Sequence, residues 1–513
     1  MSQQSYLIDT NILIGLEDNR SVDPTYAEFS KLAAVHKVDV LVHEAARDDI
    51  ARDKNAVRRK ISLSKIEKFQ LLDKVKGLTQ AELESQFGTI RKPNDLVDTT
   101  ILHALKIGAC DFLVTEDKGL HTRAQKHSND LGRRVLFVAD ALQLLVQTYE
   151  PKQVPIRNVA EVVAHTIDTH DDFFNSLRDG YPGFDYWWQQ KCISGRRPCW
   201  VVYNNEQLAG LIVRKDEEAS DTDAITKAPK ILKICTFKVR PEQRGVKLGE
   251  LLLKQVFWYA QSNKYDLAYL TAYKEQAALI SLLEYYGFYE AGAKADGELI
   301  FERKFSDKKL SRIEEQSNLE AGRTNYPRFV VDDTVKGFGI PIKEGYHDIL
   351  YPDLWSPLQD DLFSNLPGGL KSARPGNTIR KVYLCRAASN LGEPGSILFF
   401  YKGSSKDEPS QAITVIGLLE EVTQANSTKE LMQKTGGRSV YSEEQLAEWG
   451  ASLQRPVKVI NYLLVNYIDP PISLDELREI GVIKGKNPQQ SIYELKPELL
   501  QKMLKRTNLE FEI

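Results

Sequence analysis

Four acids stand where a folded chain could gather them around a cation. Asp9 closes the apolar run Tyr6-Leu7-Ile8 and leads into Thr10-Asn11-Ile12-Leu13. Glu44 follows Asp39-Val40-Leu41-Val42-His43. Asp98 lies in Asn94-Asp95-Leu96-Val97-Asp98-Thr99-Thr100-Ile101-Leu102, and Asp117 follows Phe112-Leu113-Val114-Thr115-Glu116. Hard divalent cations such as Mg²⁺ and Mn²⁺ prefer carboxylate oxygen. Such an ion activates water and offsets charge on a phosphodiester under attack. Asp95 and Asp98 are three apart on one helical face, where like charges oppose folding unless neutralised. The plainer role for Asp9 or Thr10 is to cap the next helix. A second stretch, Arg240-Pro241-Glu242-Gln243-Arg244-Gly245-Val246-Lys247-Leu248-Gly249, separates an apolar strand from an apolar helix. A glycine turn there exposes backbone N–H groups to phosphate at a helix N-terminus.

The elements that must position the acids alternate. Short apolar runs at 6–8, 39–42, 112–115 and 135–138 read as strands. Helical patterns follow 10, 43, 94 and 140. That alternation implies a parallel sheet in a three-layer α/β sandwich. An acid at the C-terminal end of a parallel strand is where such sheets keep their ligands. The region resembles a PIN domain, the metal-dependent ribonuclease fold of many bacterial toxins, over roughly residues 5–148. The resemblance rests on Asp9 with Asn11, on Glu44, on Asp98 in Asp-x-x-Ile-Leu-x-Ala, and on Asp117 in Leu-Val-Thr-Glu-Asp-Lys-Gly-Leu. It implies that Asp9, Glu44, Asp98 and Asp117 are catalytic and hold Mg²⁺ or Mn²⁺. Thr115 and Asn11 would then orient water or a carboxylate. Asp95 and Glu116 read as spare acids on a solvated face.

After a linker at Glu150–Pro155, a hairpin is expected over 198–203 and 208–213, an acidic stretch at 216–223 loops out, and Ile231–Val239 forms a long strand. The helix 250–262, a strand at 267–272 and a helix ending near Gly287 complete a succession similar to the GNAT acetyltransferases, over roughly residues 156–304. The resemblance implies acetyl-CoA as cofactor. Arg244, Gly245, Lys247 and Gly249 would line its pyrophosphate, and backbone near Phe237 and Val239 would meet its pantetheine arm. Lys247 replaces the usual middle glycine, Leu283 stands where the family often has a proton-donating tyrosine, and Gln276 replaces a common asparagine. The strand 231–239 carries no carboxylate base. Tyr285 and Tyr286 are candidates for the proton donor. Trp187-Trp188 lines either an acceptor pocket or an aromatic core.

A charged segment from Arg303 to Gly322 leads to a strand-rich remainder, with strands at 380–385, 395–401, 412–419 and 457–464 and a helix at 441–450. Its Glu393-Pro394-Gly395-Ser396 turn, the strand ending Gly417-Leu418-Leu419-Glu420-Glu421-Val422 and Pro488-Gln489-Gln490-Ser491-Ile492 resemble the PUA-like barrels of the ASCH and EVE families, over roughly 323–505. That resemblance implies RNA or modified-base binding. Arg323, Arg328, Arg374, Arg380 and Lys381, with Tyr326, Phe329 and Tyr383, would grip phosphate and stack on bases.

The expected fold is thus multidomain α/β and α+β. It comprises a PIN-like parallel α/β sandwich (1–150), a GNAT-like mixed α/β domain (156–304) and a C-terminal PUA-like β-barrel (323–513). The 513 residues suit about three domains. With 42% apolar and 27% charged residues and a net charge of −3, any nucleic-acid binding must come from local patches. Five scattered cysteines suit a reducing cytoplasm and no zinc spacing. No signal peptide and no membrane span is expected. The leading functional expectation is an RNA-directed endoribonuclease and acetyltransferase of a toxin–antitoxin type, with RNA (tRNA among the candidates) and a small antitoxin as partners and a PIN-mediated homodimer. The alternative is an acetyltransferase acting on protein or aminoacyl-tRNA, its outer domains serving RNA binding or regulation.

Overall fold

Tyr6 and Ile8 pack on one side of the first strand and Leu7 on the other, and all three are wholly buried. A strand buried on both faces needs two covering layers. The computed structural model describes the chain except residues 1–3, 18–23, 53–55, 73–74, 150–158, 205–206, 241–246, 355–377, 405–408, 436–440, 442, 486–487 and 489. Arg244, Gly245, Arg374, Gln489 and the 150–155 linker lie outside the described residues.

The first sheet joins β1 (Ser5–Ile8), β2 (Asp39–His43), β3 (Gln70–Leu72), β4 (Phe112–Val114) and β5 (Val135–Leu136) in the order β3-β2-β1-β4-β5. Every pairing is parallel. One apolar layer holds Ile12, Phe29, Ala46 and Leu145; the other holds Leu83, Ile101, Leu105 and Leu120. The α/β/α sandwich expected from the sequence is present. β3, short and at an edge, was not expected.

The second sheet has seven strands: β6 (Ala160–Val163), β7 (Pro198–Asn204), β8 (Gln207–Glu217), β9 (Ile231–Val239), β10 (Leu267–Ala272), β11 (Tyr289–Ala293) and β12 (Leu299–Lys304). The order is β11-β12-β10-β9-β8-β7-β6, and only β9 and β10 run parallel. The helix Leu248–Ser262 covers one face. The acidic stretch does not loop out. Lys215 pairs with Asp221 at 2.9 Å and Lys233 with Asp223 at 2.6 Å. Ala224 and Ala228 lie buried against Leu267, Tyr269 and Ile300. Charge neutralisation by two strand lysines folds this segment onto the sheet.

The third sheet joins β13 (Gly337–Ile342), β14 (Arg380–Cys385), β15 (Ile397–Lys402), β16 (Ala412–Ala425), β17 (Val457–Ser473) and β18 (Tyr493–Leu495) in the order β14-β17-β16-β15-β13-β18. Three register shifts bend the long β16–β17 ribbon. No pairing of β14 with β18 closes the sheet among the described residues.

The segment between the second and third sheets is not a tether. One apolar cluster runs from Trp200, Phe257 and Tyr286 through Tyr326 and Phe329 to Leu463 and Met503. Trp258 Nε1 donates to Tyr326 Oη at 3.0 Å, and Tyr326 Oη donates to the Leu464 carbonyl at 2.6 Å. Glu250, buried on the helix Leu248–Ser262, accepts from Arg380 N at 2.6 Å and from Arg380 Nε at 3.1 Å. The second and third units therefore share a core. By contrast, no buried apolar cluster among the described residues joins residues before 150 to residues after 158.

Candidate functional site: a split seam and an acid pocket

β9 and β10 pair from Ile231↔Leu267 to Ile234↔Leu270, and there the pairing stops. β9 continues to Val239, still paired on its far edge with β8 through Val239↔Gly210. β10 stays paired with β12 along its whole length. Past Ile234 the two strands part. The β10-facing edge of Cys235–Val239 has no strand partner among the described residues. β10 ends because the chain turns: Tyr273 N donates to Gln276 Oε1 at 2.9 Å, and Gln276 precedes the helix Ala277–Tyr285. The N–H and C=O groups along a half-buried strand edge call for partners. An extended ligand bearing amides supplies one, as an added strand does.

The far end of the seam leads to the turn before Leu248–Ser262. Phe237 and Val239 are half-buried and pack against the cluster that includes this helix. Lys247 has φ +61°, left-handed backbone that a side chain occupies at a cost. Its ammonium donates to Asp140 Oδ1 at 2.9 Å, a residue of the first unit. A Cβ on Gly249 would meet Leu282 Cδ2 at 3.3 Å, so the small residue lets the two helices approach. The donors gathered here, a helix N-terminus and a lysine, suit a phosphate.

The tyrosines fall out differently. Leu283 and Tyr286 are core residues with no exposure, and Tyr285 Oη donates to Glu420 Oε1 of β16 at 2.7 Å. Trp188 is buried with Phe174 and Phe184, whereas Trp187 is half-buried beneath Arg197. β9 carries a thiol at the parting: Cys235 is the first residue past the pairing, and Arg197 Nη1 donates to its Sγ at 3.3 Å. Tyr181 lies tilted against Tyr273 with ring centroids 5.7 Å apart, just past the end of β10.

In the first unit, Asp9 is buried. Its Oδ2 accepts from Asn11 Nδ2 at 2.7 Å and Thr115 Oγ1 at 2.7 Å, and its Oδ1 from Thr10 N at 2.6 Å. Burial pushes its carboxyl up to about 6, against those donors, and Asp117 and Asp49 push the same way. Burial pushes Asp98 up to about 8, helped by Asp9, Asp117, Asp49 and Asp95. Among the described residues no lysine or arginine forms an ion pair with Asp9, Asp98 or Asp117. Asp117 is exposed and caps the helix Lys118–His127, accepting from Leu120 N at 3.0 Å. Glu44 is exposed, and Asp49, one turn further on, is the acid from that segment that acts on both Asp9 and Asp98. Asp49 follows no strand end, so nothing in the sequence marked it. Asp95 pairs with Arg123 at 3.3 Å, and Glu116 Oε1 accepts from Val138 N at 3.1 Å. Oxygen donors suit a hard cation, but among the described residues no group of three or more His, Cys, Asp or Glu is placed to hold one. The arrangement as it stands does not fit a bound divalent ion.

Of the basic residues expected to grip RNA, the four that are described, Arg323, Arg328, Arg380 and Lys381, make contacts within the protein. Arg380 is bound to Glu250, and buried Lys381 donates to the Leu350 carbonyl at 2.6 Å. Arg328 donates to the Lys308 carbonyl at 3.0 Å, and Arg323 to the Tyr285 carbonyl. Tyr326 and Phe329 are buried, and Tyr383 Oη donates to the Pro341 carbonyl at 3.3 Å. The sequence shows where cations lie, not that a neighbouring unit consumes them.

Residues 164–288 match the family model described as Acetyltransferase (GNAT) family. No curated protein matches the chain. Among solved structures, the chain is similar to the ASCH protein of Zymomonas mobilis at 20% identity, over 34% of this chain and 96% of that one, with a TM-score of 0.23. It is similar to the PaiA N-acetyltransferase of Thermoplasma acidophilum in complex with coenzyme A at 12% identity, over 29% of this chain and 99% of that one, with a TM-score of 0.24. A GNAT-family acetyltransferase from Staphylococcus aureus is 14% identical over 29% of this chain and 99% of that one, with a TM-score of 0.23. No helix among the described residues is long and apolar enough to cross a membrane.

Proposed function

We propose that this chain, which carries a GNAT acetyltransferase domain, transfers acetyl from acetyl-CoA to an amine on aminoacyl-tRNA or protein. In this reading the flanking units present the acceptor. The observation that carries the reading is the split between β9 and β10 beyond Ile234↔Leu270. Cys235–Val239 would bind the pantetheine arm as an added strand, and Lys247 with the N-terminus of Leu248–Ser262 would hold the diphosphate. Acetyl-CoA supplies a thioester activated toward amines. No carboxylate of β9 stands ready for the amine's proton, so an acceptor arriving as the free base is favoured. The experiment is incubation with radiolabelled acetyl-CoA and, separately, total aminoacylated tRNA and total protein. Label on one acceptor class is expected. No label on either, with the parent protein folded, overturns the reading.

A second reading, RNA cleavage by the first unit, is favoured by the acids there: Asp9, Asp117, Asp49 and Asp95 all act on Asp98, which forms no ion pair with a lysine or arginine among the described residues. The check is RNase activity against added Mg²⁺ and Mn²⁺ in the parent and in Asp9→Asn. Equal cleavage by both removes this reading.

A further inference from the structure

Polar contacts seat the first unit on the rest of the chain. Arg133 pairs with Glu421. Asp111 takes Lys429 Nζ at 2.8 Å and Gln433 Nε2 at 2.8 Å. Lys118 pairs with Glu284 at 3.4 Å, and Lys247 with Asp140 at 2.9 Å. No shared apolar cluster backs them among the described residues, whereas the second and third units are fused by one. An interface of this composition is weak and screened by salt.

One of these cations serves two masters. Lys247 is the residue next to the helix N-terminus that would receive the diphosphate, and its ammonium is held by a carboxylate of the first unit. Asp140 lies in the first turn of the helix Val138–Tyr149. We propose that Asp140 and the diphosphate of coenzyme A compete for Lys247, so that loading the seam loosens the seat of the first unit, and undocking that unit strengthens coenzyme A binding. The two effects are one coupling read from either side. This rests on the acetyl-CoA reading above.

The experiment is titration calorimetry of the full-length protein with coenzyme A, in the parent, Asp140→Asn and Asp140→Glu. It is paired with hydrogen exchange of the first turn of Val138–Tyr149. Asp140→Asn is expected to bind roughly two- to fivefold tighter than the parent, the range of a part-exposed ion pair. Asp140→Glu, which keeps the charge, is expected to bind like the parent. In the parent, coenzyme A is expected to speed exchange in that turn. Equal affinity in all three proteins, or slower exchange with coenzyme A, overturns the coupling while leaving the seam reading in place. No binding by the folded parent overturns both.

Discussion

Asp98→Asn is expected to stabilise the first unit at neutral pH, and the size of the effect follows from the pocket. The carboxyl is raised from 3.8 to about 8, by burial first and then by Asp9, Asp117 and Asp49. That is about four units, so at roughly 1.4 kcal/mol per unit the ionised form is disfavoured by on the order of 5 kcal/mol. The sign runs opposite to that of a salt-bridged acid. Between about pH 4 and pH 8 the folded chain binds this proton more tightly than the unfolded chain, so stability falls as pH rises and levels off above about 8. Asparagine removes the dependence. At pH 7.5 the gain should be on the order of 2–4 kcal/mol, read as a rise of several degrees in the melting transition of this unit. At pH 5 less than half of it should remain. Calorimetric melts of parent and variant across that window are the assay. A variant that is less stable at pH 7.5, or a gain that does not change with pH, would refute the electrostatic reasoning.

The remaining predictions concern how the units are joined and where the aromatic residues sit. Glu250→Gln leaves the half-buried Arg380 without its carboxylate and should cost about 1–3 kcal/mol in chemical denaturation, since breaking one side of a largely buried pair strands the other charge. Gly287→Ala should lower the melting temperature by several degrees: the glycine has φ +85°, and an added Cβ would lie 2.1 Å from the Thr324 carbonyl oxygen. Trp188→Ala should cost about 3–5 kcal/mol as a core truncation, while Trp187→Ala, at a half-buried ring, should cost well under that.

How much of this could be read in advance divides along physical lines. Long apolar runs announced β9 at 231–239 and β10 at 267–272 to the residue, because β10 and the first half of β9 are buried on both faces. β3, β6 and β18 are short edge strands with mixed burial, and their pattern is too weak to stand out. The acids of the first unit were visible by type, yet Asp49 was not, because it meets Asp98 only through the helix that carries it. Lys247 and Arg380 were visible as cations. That Asp140 and Glu250 bind them depends on contacts between residues more than a hundred positions apart, which no local spacing encodes. The shared core of the second and third units was hidden for the same reason: the charged residues around 303–322 read as a tether, while Arg303 and Tyr326 within and beside it are buried.

Hydrogen exchange of Cys235–Val239 with and without coenzyme A is the most direct measurement of the seam. Binding along the open edge of β9 should slow exchange at amides of this stretch while leaving Ile231–Ile234, already paired with β10, unchanged. Unaltered exchange throughout β9 at saturating coenzyme A would contradict the account.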